Sequence, residues 1–258
     1  MRLILTGAQL RHAEGAENLH AIERALEASG ITPAPEDVLL LPERVLMTHS
    51  ANDYVEAVRG LARKLGCHLV AGSHHEATGE AEVNSGVALD PGGSVLGRYE
   101  KLRPYALERL SVRPGTGLGE LRIAGRRFLV LICADFWFSD LFHRARDLPD
   151  VVLVPALSVS RKATPDYSRS LWRHLAITRA YEMGAYVGVS DWGHPSELPL
   201  LATSGVGGFA DPTETDPERF FTPIPESGAL AVELDFDSLE AFRDDRRARG
   251  FFWKDHDP

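Results

Sequence analysis

A chain of 258 residues with 44% hydrophobic and 25% charged residues can bury one large core and is short for two independent domains. Its net charge of −9 argues against a nucleic-acid or an anionic-membrane partner, since both reward clustered Lys and Arg. The apolar opening is too short for a signal-peptide core or a membrane span, and Cys67 and Cys133 are too few for a disulfide framework, so a reducing cytoplasm is the expected setting.

Residues 3–10 read as a first strand, and residues 18–29 as a helix with Leu19, Ile22 and Leu26 on one face and Gly30 as its stop. Residues 38–41 form a short buried strand ended by Pro42-Glu43. Ser50 and Asp53 open a second helix with Tyr54, Val58, Leu61 and Leu65 as its stripe and Gly66 as its close. Residues 68–71 are a strand, and His74, His75 and Gly79 belong to a polar turn. Residues 86–89 and 95–99 form an antiparallel pair around Asp90-Pro91-Gly92-Gly93, with Lys101 just beyond.

Prolines and glycines make residues 103–119 irregular. Strands follow at 121–123 and 128–133, a short helix at 139–147 and a strand at 151–155. Residues 166–183 are the longest helix, with Trp172, Leu175, Ala176, Ala180 and Met183 on one face and Gly184 as cap. Further strands fall at 186–190, 205–210 and 229–234. A last helix spans 237–249, with an N-cap aspartate and basic residues in its final turn. Strands alternating with helices imply an α/β fold with a mostly parallel or mixed sheet. With no repeat and no interior linker, residues 1–258 read as a single domain.

Three residues stand where strand meets loop: Glu43, Lys101 and Cys133. Alone, each has an ordinary explanation, because acids and lysines are mostly solvated and free cysteines mostly packed. Together they make a set for covalent catalysis. A thiol needs a base to become the nucleophilic thiolate. That base must later return its proton to a leaving nitrogen, and a fixed positive charge can stabilise an oxyanion.

Leu41-Pro42-Glu43, Gly97-Arg98-Tyr99-Glu100-Lys101-Leu102 and Leu131-Ile132-Cys133-Ala134-Asp135 resemble, in order and spacing, the catalytic segments of the nitrilase, or carbon–nitrogen hydrolase, superfamily. Ala8-Gln9 with Asn18-Leu19, Asn84-Ser85, and the stretch from Arg179 to Tyr186 extend the resemblance over nearly the whole chain. It implies a four-layer α-β-β-α sandwich, often paired across a two-fold as a homo-oligomer, dimer or higher. It also implies hydrolysis of a non-peptide C–N bond with no metal and no organic cofactor. Carried over, Glu43 is general base and acid, Lys101 the oxyanion stabiliser and Cys133 the nucleophile. Glu108, just past the lysine, would orient substrate or lysine, and the Ala134 N–H is a candidate second oxyanion donor.

The expected activity is cleavage of a small amide through a Cys133 thioester, releasing ammonia or an amine. An N-carbamoyl hydrolase or a nitrilase are the alternatives within the class, and a non-catalytic ligand-binding relative the alternative outside it. The Trp-Glu pair of the true nitrilase branch is missing after Cys133, which disfavours nitriles. Trp137 and Ser139 replace the Arg and Pro often seen beyond the cysteine, and Asp191 stands where an asparagine is frequent. Phe136, Trp137, Phe138 and Trp192 are candidate pocket walls, with core packing the competing role for the first three. Arg103, Arg109, Arg161 and Lys162 fall in nearby segments and would suit an acidic substrate group.

Several features have plainer readings. Cys67 is expected to be a packed thiol. Adjacent His74 and His75 point to opposite faces and lack the further ligands of a metal site. Gly115-Thr116-Gly117-Leu118-Gly119 lacks the lysine of a phosphate loop. Arg179 and Glu182 suit an ion pair along their helix. Phe251-Phe252-Trp253 is apolar enough to pack on the body or across a dimer contact.

Overall fold

The computed structural model describes residues 1–10, 16–197 and 202–252. The first half of the chain contains β1 (Arg2–Thr6), α1 (Ala16–Ala28), β2 (Val38–Leu40), α2 (Ala51–Leu65), β3 (His68–Val70), β4 (His74–Thr78), β5 (Ala81–Leu89) and β6 (Val95–Glu100). Then come β7 (Gly119–Ile123), β8 (Arg126–Val130), α3 (Ser139–His143), β9 (Val151–Pro155), α4 (Asp166–Met183) and β10 (Tyr186–Ser190). The last elements are β11 (Gly208–Ala210), β12 (Phe221–Pro223), β13 (Ala229–Glu233) and α5 (Phe236–Ala248).

The continuous apolar runs become parallel strands buried on both faces, as such sequences should. In one sheet β1, β2 and β3 run parallel, with Leu3 opposite Val38 and Leu39 opposite Leu69. In the other β8, β9 and β10 run parallel, with Phe128 opposite Val151 and Val187 opposite Val152. Antiparallel strands extend both, giving the orders β13-β1-β2-β3-β5-β4, with β6 also on β5, and β12-β11-β10-β9-β8-β7.

The sheets meet face to face through Leu3, Leu5 and Leu40 on one side and Val152, Val154 and Val187 on the other. The approach is close at β10. A Cβ on Gly188 would lie 2.6 Å from Leu3 Cδ2. Outside the first sheet, α1 and α2 bury Ile22, Leu26, Tyr54 and Val58; outside the second, α4 buries Trp172, Ala176, Ala180 and Met183. The result is the four-layer α-β-β-α sandwich that the resemblance implies.

Helix ends follow their sequence signals. Ser50 accepts from Asp53 N at 3.2 Å, and Gly66 and Gly184 take the left-handed conformation. The cap of α5 differs from expectation: Asp235, not Asp237, accepts from the backbone N–H of Asp237 and Ser238. The region around His74 and His75 is also not a turn. It is β4, an edge strand that pairs with the first half of a longer β5. Its sequence, His74-His75-Glu76-Ala77-Thr78, is mostly polar, so no hydrophobic period announces it.

A buried ion pair ties the last helix to the second sheet. Arg243, whose side chain is 1% exposed, donates from Nη1 to Asp150 at 2.9 Å, from Nη2 to Pro149 O and from Nε to Gly184 O. Asp150 also accepts from Arg127 N and Nη2. Burial works against the Asp150 carboxylate, but these guanidinium and N–H donors hold it below its ordinary range. Its contribution is therefore complete above the unfolded-state value of about 4 and is lost as pH falls through the lower folded value. Asp150→Ala would leave the Arg243 guanidinium with only the half-exposed Glu240 carboxylate. Urea denaturation at neutral pH should show a loss of about 3–5 kcal/mol, shrinking as the pH is taken below about 4.

Candidate active site

The carboxyl ends of the parallel strands point to one rim, where open α/β sheets keep their sites. Glu43 follows β2, Cys133 follows β8, Leu157 and Ser158 follow β9, Asp191 and Trp192 follow β10, and Lys101 follows the antiparallel β6. The loops are fastened across the two sheets. Glu43 N donates to Ala156 O at 3.2 Å, and Trp192 Nε1 donates to Glu43 O at 2.8 Å. Gly72 lets the neighbouring loop pass: its φ is +63°, and a Cβ there would collide with the Pro42 carbonyl oxygen.

Lys101 and Glu43 are each 3% exposed, and the ammonium lies between two carboxylates. Lys101 Nζ donates to Glu43 Oε1 and to Glu108 Oε2, both at 2.7 Å. Asn84 Nδ2 donates to the same Glu43 oxygen at 2.8 Å and to Glu108 Oε1 at 2.7 Å. The second Glu43 oxygen accepts from Leu157 N at 3.1 Å, and Tyr105 N donates to Glu108 at 2.9 Å. His75 stands 3.4 Å from Glu108 on the far side from the lysine. Burial pulls the lysine toward its neutral form, but Glu43, the Cys133 sulfur and Glu108 outweigh it and push its pKa up. Burial likewise opposes the Glu108 charge, but His75, Lys101 and Asn84 hold its carboxyl well below the usual carboxylate range.

The strand before Cys133 is shorter than its apolar run. β8 stops at Val130, and residues 133–137 form a tight 3₁₀ turn in which Cys133 has φ +46°. A non-glycine residue in this left-handed region marks stored strain. The thiol donates toward Leu157 O at 3.7 Å, so Leu157 meets Cys133 through its carbonyl and Glu43 through its N–H. Burial and the Glu43 charge push the thiol well above its ordinary pKa, against the pull of Lys101. The thiol is therefore neutral at rest.

Two buried aspartates hold these segments. Asp135 accepts from Leu102 N at 2.9 Å and Arg103 N at 2.8 Å, tying the cysteine turn to the residues after Lys101. Asp191 accepts from Ser158 N at 3.0 Å, from Val206 N at 2.9 Å and from the Ser158 hydroxyl. Burial pushes each carboxyl up to about 6, against the N–H donors that favour its charge.

Cys133 and Ala134 lie at one side of a cavity of about 520 Å³ whose walls include Tyr105, Trp137, Phe138, Tyr167 and Trp172. Trp137 meets Trp172 edge-on at 5.7 Å between ring centroids. Phe136 and Trp192 are corrections to the sequence reading. Phe136 is wholly buried, 5.9 Å from both Phe142 and Trp172, because the turn carries Asp135 and Phe136 into the interior while Cys133, Ala134, Trp137 and Phe138 line the cavity. Trp192 is also wholly buried and uses its indole N–H to hold the Glu43 backbone. Neither lines the cavity.

The sequence reading gives Asn84 and Asp135 only as parts of matching segments and Asp191 as a departure at a position that lines or supports the pocket in relatives; it assigns none of them a partner. Asn84 lies in the part of β5 that precedes the strand expected at residues 86–89, and only the pairing with β4 and β6 shows its place in the sheet. Arg103 is engaged by Asp140, and Arg109 lies outside the cavity lining. Cys67 is buried in the helix-side core, its thiol pushed up to about 12 by burial. His74 stacks on Tyr54 at 4.1 Å, and Thr116 N donates to Glu100 at 2.8 Å, which makes the glycine-rich stretch a structural strap. Arg179 and Glu182 pair at 2.7 Å. Phe252 is buried against the body, Phe251 is exposed, and Trp253 lies outside the described residues. Among the described residues, no cluster of three or more His, Cys, Asp or Glu side chains is arranged to hold a metal, and no helix is long and apolar enough to cross a membrane.

Comparison with solved structures finds the same fold in several proteins. An amidase from Nesterenkonia sp. AN1, in a mutant carrying acrylamide added at its active-site cysteine, is 23% identical with a TM-score of 0.71, covering 97% of this chain and 99% of that one. Nit3 of Saccharomyces cerevisiae, a branch 10 member of the nitrilase superfamily, is 20% identical with a TM-score of 0.76, covering 95% and 93%. XC1258 of Xanthomonas campestris, a carbon–nitrogen hydrolase superfamily protein with an arsenic adduct in its active site, is 21% identical with a TM-score of 0.78, covering 100% and 97%. Sequence comparison with curated proteins finds no match. The sequence profile of the carbon–nitrogen hydrolases matches residues 6–208, and the chain belongs to that family.

Proposed function

We propose that this carbon–nitrogen hydrolase cleaves small amides through a thioester on Cys133, with Glu43 as base and acid and Lys101 as oxyanion stabiliser. The observation that carries the reading is the buried ammonium fixed between Glu43 and Glu108 within electrostatic reach of a neutral thiol at the edge of a cavity. Because Lys101 is pushed up, it keeps its proton and cannot be the base. Glu43 is the carboxylate whose charge the thiol feels most.

The steps balance as follows. Glu43 takes the Cys133 proton as sulfur bonds to the amide carbon, and the carbonyl oxygen becomes an oxyanion facing Lys101. The Ala134 N–H lies in the first turn of the 3₁₀ segment, where backbone donors lack partners within the helix, so it is a second donor. Glu43 returns the proton to nitrogen as the C–N bond breaks. Water then gives a proton to Glu43 and attacks the thioester, releasing the acid and restoring the thiol. A thiol that is neutral until a base engages it suits a nucleophile that must not react before substrate is in place.

The test is ammonia release from a panel of amides, carbamoyl compounds and nitriles. Amides should turn over, and Cys133→Ala should lose about 10⁴-fold or more in kcat/KM. Turnover confined to carbamoyl compounds or nitriles, or an active Cys133→Ala, would sink the reading.

Asp191 acts on this machinery through Ser158 and Leu157. Its folded pKa of about 6 exceeds the unfolded value of about 4, so between them the folded chain holds a proton that the unfolded chain lacks. Stability therefore falls as pH rises through that window. Melting temperatures of Asp191→Asn measured across it should show a flatter fall than the parent, not an absent one, because Asp135 titrates in the same range. An unchanged slope would show that Asp191 is ionised throughout.

A further inference from the structure

Of the proposed catalytic groups only Cys133 lines the 520 Å³ cavity, next to Ala134. Such a volume fits an organic group far larger than a two- or three-carbon acyl chain, since pockets of about 300–1,000 Å³ take drug-sized ligands. The remaining wall is aromatic and wet at once. Of the twelve large hydrophobic side chains exposed among the described residues, six line this cavity: Tyr105, Trp137, Phe138, Val159, Tyr167 and Leu171. Apolar side chains converging on one exposed concavity mark a binding surface rather than scattered surface residues.

The same wall carries Arg161 and Lys162. The Arg161 guanidinium lies 5.5 Å from the centre of the Tyr105 ring, and the Lys162 ammonium 5.4 Å from that of Tyr167. Among the described residues neither has a carboxylate partner, although acids outnumber bases in the chain by 37 to 28. Other cations near the site are neutralised: Arg103 by Asp140, Lys101 by Glu43 and Glu108. Two uncompensated charges, each set against an aromatic ring that lines the same cavity, form a receptor for an anion at the end of an aromatic group.

We infer that the preferred substrates are amides whose acyl part is aromatic and ends in a carboxylate, with the amide at Cys133, the ring among the cavity aromatics and the carboxylate at Arg161 and Lys162. This rests on the amide-hydrolase reading above, and it specifies which amides.

The test compares a phenylpropanamide bearing a para-carboxylate with its neutral para-acetyl counterpart. Two exposed charge contacts of ordinary strength predict about a tenfold higher kcat/KM for the carboxylate compound, a preference that shrinks as salt is raised. In the double variant Arg161→Glu/Lys162→Glu the preference should invert, and in Arg161→Gln/Lys162→Gln it should vanish. Both side chains are exposed, and melting temperature checks that each variant is folded. Calorimetric binding of the two compounds to Cys133→Ala separates this inference from the reading beneath it. Tighter binding of the carboxylate compound, weakened by the double charge reversal, supports the anion receptor even if neither amide is hydrolysed, in which case the hydrolytic reading falls alone. Equal binding and equal turnover, or discrimination that survives the charge reversal, overturns the anion receptor and leaves the hydrolase standing.

Discussion

Lys101 is an ammonium taken almost wholly out of water, and such a charge persists only when carboxylates and hydrogen bonds replace its hydration. Glu43 and Glu108 do so together. They in turn need Asn84, Leu157 N–H and Tyr105 N–H, because two carboxylates against one ammonium leave an excess negative charge. The contributing segments come from β2, β5, β6, β9 and the loop after β6. Removing one member of such a network leaves another buried and uncompensated, at a cost of about 3–5 kcal/mol. The chain therefore cannot fold to its stable state without also assembling these groups, and their charge states are fixed by the same contacts.

Cys133 is held by a second constraint. A cysteine with φ +46° stores about 1–3 kcal/mol of backbone strain, which survives only where neighbours over-determine it. Leu131 N, bonded to Leu153 O, keeps the approach in line with β9, and Asp135 grips two successive N–H groups after Lys101. The cysteine turn and the lysine segment thus share one carboxylate. Through Leu157, the same turn reaches Glu43.

Much of this was legible in the chain. The parallel strands are continuous apolar runs, and the capped helices carry Ser50, Gly66 and Gly184 where their ends fall. Glu43, Lys101 and Cys133 stood out because three separately unremarkable residues fell at strand ends in a familiar order. What escaped was information that resides in pairing. Asn84 becomes a bridge between two carboxylates only when β5 lies between β4 and β6. Residues 131–133 looked like strand because hydrophobicity reports burial and not φ, so the turn that aims Cys133 left no periodic trace. Phe136 and Trp137 are adjacent and chemically alike, yet one is core and the other lines the cavity; the turn's geometry decides, not composition.

Charge placement also explains why the two ends of the cavity differ. Around the thiol the chain buries Glu43, Asp135 and Asp191, with the partly buried Glu108 beyond them, against the single ammonium of Lys101. A negatively charged substrate group brought there would meet like charges at low dielectric, where repulsion is strongest. An amide of the kind proposed, neutral and dipolar, would suffer no such repulsion and would offer its carbonyl oxygen to the one cation. Arg161 and Lys162, on exposed residues beside aromatic rings, hold the opposite sign where solvent already lowers the cost of a charge. A substrate carrying both a neutral amide and a distant anion is thereby oriented by repulsion at one end and attraction at the other. A reversed pose would place its carboxylate against the three buried acids.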